Sequence, residues 1–259
     1  MNTEKLLEGK KILIMGVANQ RSIAWAIAKA YAAAGAELAF TYQDDRFRDK
    51  VARLVEKEMP GSLLLPCDVS KDSDIEAVVR SLQEEWGVLH GAVHSLAYAK
   101  KEELEGMFAH TSRDGFLMAH EISAYSLVAA SKYLYPLMSE GGSILTLTFQ
   151  GSERVVTNYN VMGVAKASLE ASVRYLASDL GPLGIRVNAV SAGPIKTLSA
   201  KGVKDFNRLL TGVEERTPLR RLADADDVAC TAVFLASDLS CAVTGSVIHT
   251  DCGYHIMGT

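Results

Sequence analysis

Tyr159 and Lys166 stand seven residues apart in Tyr159-Asn-Val-Met-Gly-Val-Ala-Lys166, at the head of a stretch that reads as helix. Seven steps of about 100° return to within roughly 20° of the start, two turns along the axis. A phenol and an ammonium therefore share one helix face, with Met162 and the side-chain-free Gly163 between them. The arrangement suits a proton-donating hydroxyl beside a cation that can hold a sugar or an anion. Alone, such a pair is ordinary surface chemistry; its surroundings decide.

The elements that must position the pair are legible as an alternation. Short apolar runs at 11–15, 37–42, 62–66, 91–94, 143–149, 186–190 and 246–250 are strand candidates. Most are apolar throughout rather than alternating, as parallel strands covered on both faces are. Helical patterns fill 22–35, 46–57, 73–86, 113–138, 159–180 and 225–236. The expectation is an α/β fold, a Rossmann-like doubly wound seven-stranded parallel sheet with helices on both faces and right-handed crossovers. One domain over 1–259 accommodates it, without linker, repeat or low-complexity tract. The segment 195–218 breaks the rhythm, with helical material at 203–210 where a crossover would be short. An insertion after a strand's carboxyl end lies where ligands bind in such sheets, so it reads as a lid over the site.

Composition excludes several function classes. The 259 residues can bury a sizeable core, and 22% charged residues is the balance of a soluble globular enzyme. A net charge of −4 argues against nucleic-acid binding. The N-terminus is charged from the outset, unlike a secretory signal, and no run approaches the roughly 18 apolar residues of a membrane span. A cytoplasmic protein is expected. Cys67, Cys230, Cys241 and Cys252 are scattered, with no Cys-x-x-Cys and no histidine spaced for zinc. They read as free thiols, with no metal site.

The strand ends supply a dinucleotide site. After the first strand, Gly16-Val-Ala-Asn-Gln-Arg-Ser22-Ile23-Ala24 is not Gly-x-Gly-x-x-Gly. Gly16 still allows a tight turn and close approach, while Ser22 can cap the helix and donate to pyrophosphate, beside the helix-start N–H groups near Ile23. The second strand ends in Gln43-Asp44-Asp45, and the nearest basic residues, Arg46 and Arg48, lie beyond two acids. That favours NADH over NADPH. Asp68 and Val69 after the third strand could clasp an adenine ring; Asp68 could equally cap the next helix. After the fourth strand, small Ser95 and Ala97, flanking Leu96, let the cofactor's middle lie against the backbone. His94 reads as packed in the strand. After the sixth, Gly193-Pro194-Ile195-Lys-Thr197 suits a nicotinamide carboxamide, with Ile195 as partner and Thr197 beside it; a bare loop remains the alternative.

Together these residues resemble the short-chain dehydrogenase/reductase superfamily, and more narrowly the bacterial enoyl-(acyl-carrier-protein) reductase (NADH) family of type II fatty acid synthesis. The likeness runs through Gly16 to Ala24, Cys67-Asp68-Val69, the stretch from Asn158 to Glu170, Arg186 to Ile195 and Lys204-Asp-Phe206. The Tyr-x6-Lys spacing discriminates best: superfamily members that act on ketones and alcohols mostly use Tyr-x3-Lys, and no tyrosine here has a lysine four residues later. The resemblance implies reduction of the C2–C3 double bond of a trans-2-enoyl thioester on acyl carrier protein. In it Tyr159 would donate a hydrogen bond to the enolate oxygen, and Lys166 would hold the nicotinamide ribose. Tyr98, Met162, Phe206 and Leu209, with Ala97, Phe149, Ile195 and Tyr159, are then candidates to line the acyl site. A homotetramer is implied too, since in the family such helices pack between subunits and Leu169, Val173 and Leu176 need burial.

The chain departs from the family's pattern at three positions. Phe149 stands where a second tyrosine is usual, ten residues before Tyr159, keeping the ring and losing the hydroxyl. Asn207 stands where relatives can carry a basic residue, although Lys201, Lys204 and Arg208 remain as a patch suited to an acidic carrier protein. Cys252 stands where glycine is common. Two other readings remain: an ordinary carbonyl oxidoreductase, opposed by the missing Tyr-x3-Lys, and a catalytically silent dinucleotide sensor, opposed by the intact Tyr159 and Lys166.

Overall fold

The computed structural model describes residues 5–197, 210 and 212–258. In chain order its elements are β1 (Lys11–Met15), α1 (Ile23–Ala33), β2 (Glu37–Tyr42), α2 (Asp45–Glu58), β3 (Leu63–Pro66) and α3 (Asp72–Trp86). Then follow β4 (Gly91–His94), α4 (Arg113–His120), α5 (Ser126–Leu134), β5 (Gly142–Thr148), α6 (Asn160–Leu180), β6 (Ile185–Ala192), α7 (Ala225–Ala236) and β7 (Val247–Thr250). The strands form one parallel sheet in the order β3-β2-β1-β4-β5-β6-β7. The order reverses between β1 and β4, which opens a crevice at their carboxyl ends. Register there pairs Met15 with His94.

Alternation along β1 explains the layering. Ile12 and Ile14 face a core built with Trp25, Ile27 and Tyr31 of α1 and Val228 and Ala232 of α7. Leu13 and Met15 face the opposite core, against Ile75 and Leu82 of α3, Leu127 of α5, and Leu169 and Val173 of α6. Burying each large apolar side chain contributes about 1.5–3 kcal/mol. The Tyr31 hydroxyl donates to the Ala232 carbonyl at 3.1 Å, stitching α1 to α7. Leu169 and Val173 are thus buried inside the chain, and Leu176 packs on the same core, so they make no case for a subunit contact. A third, smaller cluster of Leu104, Ala119, Val161, Met162 and Ala165 sits under the head of α6.

The expected strands are present with ends shifted by at most two residues, but the helix expected over 113–138 is broken. Between α4 and α5 lies one wide π turn, Glu121–Tyr125. Two buried serines mark it: Ser126 Oγ donates to the Ile122 carbonyl at 2.6 Å, and Ser123 Oγ reaches Tyr98 on a neighbouring loop. Serine hydroxyls that bond backbone compete with the regular helical ladder. Helix α6 starts at Asn160, with Tyr159 as its N-cap residue. Asn158 and Asn160 on either side take φ of 62° and 30°, a region that asparagine enters more readily than most side chains.

Candidate active site

The crevice between β1 and β4 is built from backbone. Gly16 has φ of +101°, and a Cβ there would lie 2.0 Å from the Ser95 carbonyl oxygen, so only glycine fits. Ser22 does not cap α1 with its side chain, contrary to expectation. Its Oγ instead accepts from the amides of Ala18 and Asn19, both at 3.1 Å, which folds the loop over itself. The first amides of α1 therefore keep no side-chain cap, and the helix end is positive toward the crevice.

At the end of β2, Gln43 is exposed. Asp44 caps α2 by accepting from the Arg46 amide, and the Arg46 Nε donates to Asp44 at 3.0 Å. Hydrogen bonding to Arg46 holds the Asp44 carboxyl below its ordinary range. After β3, Asp68 does not cap α3, whose N-cap is Lys71. It accepts from the Ser70 amide and hydroxyl at 3.2 and 2.8 Å, with Lys71 Nζ 3.5 Å away. Burial opposes its ionisation, but these partners outweigh it and lower its pKa. Val69 packs beside it at the rim of the second core.

At the end of β4, His94 is packed in the sheet as expected. Its Nδ1 lies 2.9 Å from Thr146 Oγ1 on β5 and its Nε2 2.7 Å from Ser126 Oγ on α5. Burial, with the Lys166 charge adding to it, pushes the imidazole down to about 3, so it is neutral. Ser95 and Leu96 are half-buried, while Ala97 and Tyr98 are exposed. The Tyr98 loop is pinned by Ser123, whose Oγ accepts from the Tyr98 amide at 3.0 Å and lies 3.2 Å from its carbonyl oxygen.

The head of α6 is built from side chains. Tyr159 is half-buried, its ring edge-on to Phe149 with centroids 5.2 Å apart. A Cβ on Gly151 would fall 2.5 Å from the Tyr159 ring, and one on Gly163 2.6 Å from the Gly151 carbonyl oxygen. These two glycines let the turn after β5 close on the phenol. Lys166, 6% exposed, donates from Nζ to the Leu147 carbonyl at 2.7 Å. Burial lowers it to about 8, partly offset by the Glu170 carboxylate. Burial raises the Tyr159 phenol well above its usual value, and Glu170 adds to that. Both electrostatic effects come from a residue that sequence reading passed over. Glu170 is itself buried and accepts from Thr148 Oγ1 at 2.5 Å. The signal was its place four residues after Lys166 on an otherwise apolar stripe.

The remaining expected residues fall in separate places. Met162 is buried in the small cluster that Tyr159 borders. Ile195 leaves β6 half-buried against the first core, and the Thr197 amide donates to the Ile195 carbonyl at 2.9 Å. Lys201, Lys204, Phe206, Asn207, Arg208 and Leu209 lie outside the described residues. Cys252 has φ of 60°, in the left-handed region that glycine enters without steric cost. Elsewhere, His249, Asp251 and His255 bring metal-ligand chemistry together. The two imidazoles stack 3.8 Å apart and 12° from parallel, so their lone pairs run side by side rather than converging. Asp251 already accepts from the Gly253 and His255 amides.

A doubly wound sheet with a glycine cradle at its switch point and a Tyr-x6-Lys helix beside it defines an oxidoreductase of the short-chain dehydrogenase/reductase superfamily. The family model described as "Enoyl-(Acyl carrier protein) reductase" matches residues 16–255. Enoyl-(acyl-carrier-protein) reductase (NADH) FabI of Bacillus cereus is 57% identical over 255 residues, spanning 98% of this chain and all of that protein. A crystal structure of the Bacillus cereus reductase with NADP+ and an indole naphthyridinone superposes with a TM-score of 0.97, covering 98% and 100% of the two chains at 57% identity. The Anaplasma phagocytophilum reductase in complex with NAD gives a TM-score of 0.93 at 48% identity, covering 100% and 96%. The chain belongs to the enoyl-(acyl-carrier-protein) reductase family.

Proposed function

We propose that this chain reduces the trans-2 double bond of enoyl thioesters on acyl carrier protein, using NADH, in the elongation cycle of fatty acid biosynthesis. The observation that carries this reading is the head of α6: a half-buried phenol and a buried ammonium at Tyr-x6-Lys spacing, beside the crevice, in a chain of this family.

The residues fit the dinucleotide. The cradle at Gly16 would be filled by any Cβ, and the uncapped start of α1 suits a pyrophosphate. Gly16, Ser22 and Ile23 would hold the phosphates, Asp68 and Val69 the adenine, and Ser95 and Leu96 the middle of the cofactor. Gln43 would meet the adenosine ribose, with Arg46 occupied by Asp44, which supports NADH over NADPH. Ile195 and Thr197 would receive the carboxamide. Bound NADH supplies the hydride that reaches substrate C3. Lys166 Nζ has three donors, one given to Leu147, and would hold the nicotinamide ribose with the others. Tyr159, kept protonated by burial, would donate a hydrogen bond to the thioester oxygen as negative charge grows there. A proton added at C2 completes the reduction. Phe149 offers no hydroxyl, so Tyr159 or water serves alone at that oxygen. Ala97, Tyr98 and Met162, with Phe206 and Leu209, would line the acyl site, and 195–218 would cover it as a lid. A cytoplasmic homotetramer fits this reading; no helix among the described residues is long and apolar enough to cross a membrane. Val164 and Tyr175 of α6 offer exposed apolar surface for subunit contact.

The test follows NADH and NADPH oxidation with a short trans-2-enoyl thioester on acyl carrier protein. NADH-dependent turnover is expected; turnover of carbonyl substrates alone, or tight NADH binding without any oxidation, would refute the reading.

A further inference from the structure

We propose that Glu170 is a positioning residue for the reductase centre: its buried carboxylate, anchored by Thr148, keeps Lys166 charged and fixed at the end of β5. The inference rests on the functional reading above and concerns a residue outside the Tyr–Lys pair. Leu147 and Thr148 are adjacent residues on β5, and each takes hold of one side chain of α6. The Leu147 carbonyl accepts from Lys166 Nζ at 2.7 Å, and the Thr148 hydroxyl donates to Glu170 Oε1 at 2.5 Å. Lys166 and Glu170 are one helical turn apart, so both contacts tie the same face of α6 to the same strand end. At 2.5 Å the hydroxyl–carboxylate contact is at the short end for an O–H···O bond, so the Glu170 side chain is held firmly on β5.

Glu170 is 7% exposed, and a carboxyl at such burial needs partners. One partner is Thr148; the compensating charge is Lys166. Without the carboxylate, desolvation alone would act on the ammonium, which already titrates at about 8. The groups facing Lys166 are few. Tyr159 at the start of α6 is neutral, His94 on β4 is neutral, and Thr148 and the Leu147 carbonyl on β5 carry no charge. Glu170 is therefore the negative charge acting on Lys166 among the described residues.

Glu170→Gln keeps an oxygen acceptor for Thr148 and removes only the charge. The readouts are the pH dependence of kcat/KM for enoyl thioester and of the NADH dissociation constant. In both, the basic limb is expected to move down by about one pH unit or more, the scale on which a near charge acts. Glu170→Asp is expected to restore much of the limb. A folded Glu170→Gln protein with both limbs unmoved overturns the proposal, because a merely structural carboxylate would lower Tm without moving either limb. If Glu170→Gln does not fold, the paired Thr148→Val/Glu170→Met variant removes the charge without orphaning a donor, and the same shift is required of it. Should the wild type bind NADH yet reduce no enoyl thioester, the functional reading fails, while the NADH limb still decides the role of Glu170.

Discussion

The crevice at β1/β4 and the head of α6 meet the same proposed cofactor by opposite means. At the crevice the working groups are backbone: a glycine with no room for a methyl, amides folded by Ser22, an uncapped helix start. At α6 they are side chains held under burial: a half-buried phenol, an ammonium near 8, a carboxylate bound to a threonine. The first region is fixed by shape and should respond to volume, indifferent to pH. The second is fixed by charge balance and should respond to single atoms and to pH.

The largest break in that contrast is Gly16→Ala. The added methyl meets the Ser95 carbonyl at 2.0 Å, and overpacking with the strain of positive φ together amount to on the order of 3 kcal/mol. A Tm lower by several degrees and NADH affinity lower by about 100-fold are expected, from thermal unfolding and fluorescence titration. Unchanged binding would mean the dinucleotide does not enter here. Next is Tyr159→Phe, which removes one atom and should lower kcat by about 100-fold with the NADH dissociation constant and Tm unchanged. Full activity would place the donor elsewhere.

His94 sits under both regions and separates stability from chemistry. It is neutral when folded, titrating at about 3, and must gain a proton on unfolding below its ordinary 6.5. The unfolded state then binds more protons, so stability is complete above about 6.5 and declines as pH falls toward 3. By pH 5 the loss is about 2 kcal/mol. His94→Gln should flatten that decline in acid-unfolding curves, and an identical acid midpoint would reject the assignment. The smallest effect expected is Phe149→Tyr: steady-state kcat within about threefold of wild type, under 1 kcal/mol. A sharp drop would contradict the placement of the acyl site against this ring.

Legibility followed the same division. The strands at 11–15, 37–42 and 91–94 were readable because buried parallel strands are uninterrupted apolar runs. Tyr159 and Lys166 were readable because helical spacing is periodic. Gly16 was readable from its place after a strand, but the function of Ser22 was not. Whether a hydroxyl caps the helix or folds the loop depends on backbone angles that no spacing encodes. Glu170 escaped because a carboxylate on an apolar stripe declares its importance only once Thr148, 22 residues away, is known to meet it. The π turn escaped because the contact that accompanies it, Ser123 with Tyr98, is likewise remote in sequence.

That turn has a consequence for how the chain can change length. Ala119 lies on the small cluster before the turn and Leu127 on the second core after it. Eight residues of regular helix would set them about 80° apart, whereas seven would set them within about 20°. A π turn accommodates one extra residue, so the wide turn at Glu121–Tyr125 takes up the eighth while Ala119 and Leu127 each stay buried in their own cluster. The turn thus holds one residue more than a regular helix would, and deletion of Ser123 should turn α4 and α5 into one regular helix while freeing the loop at Tyr98.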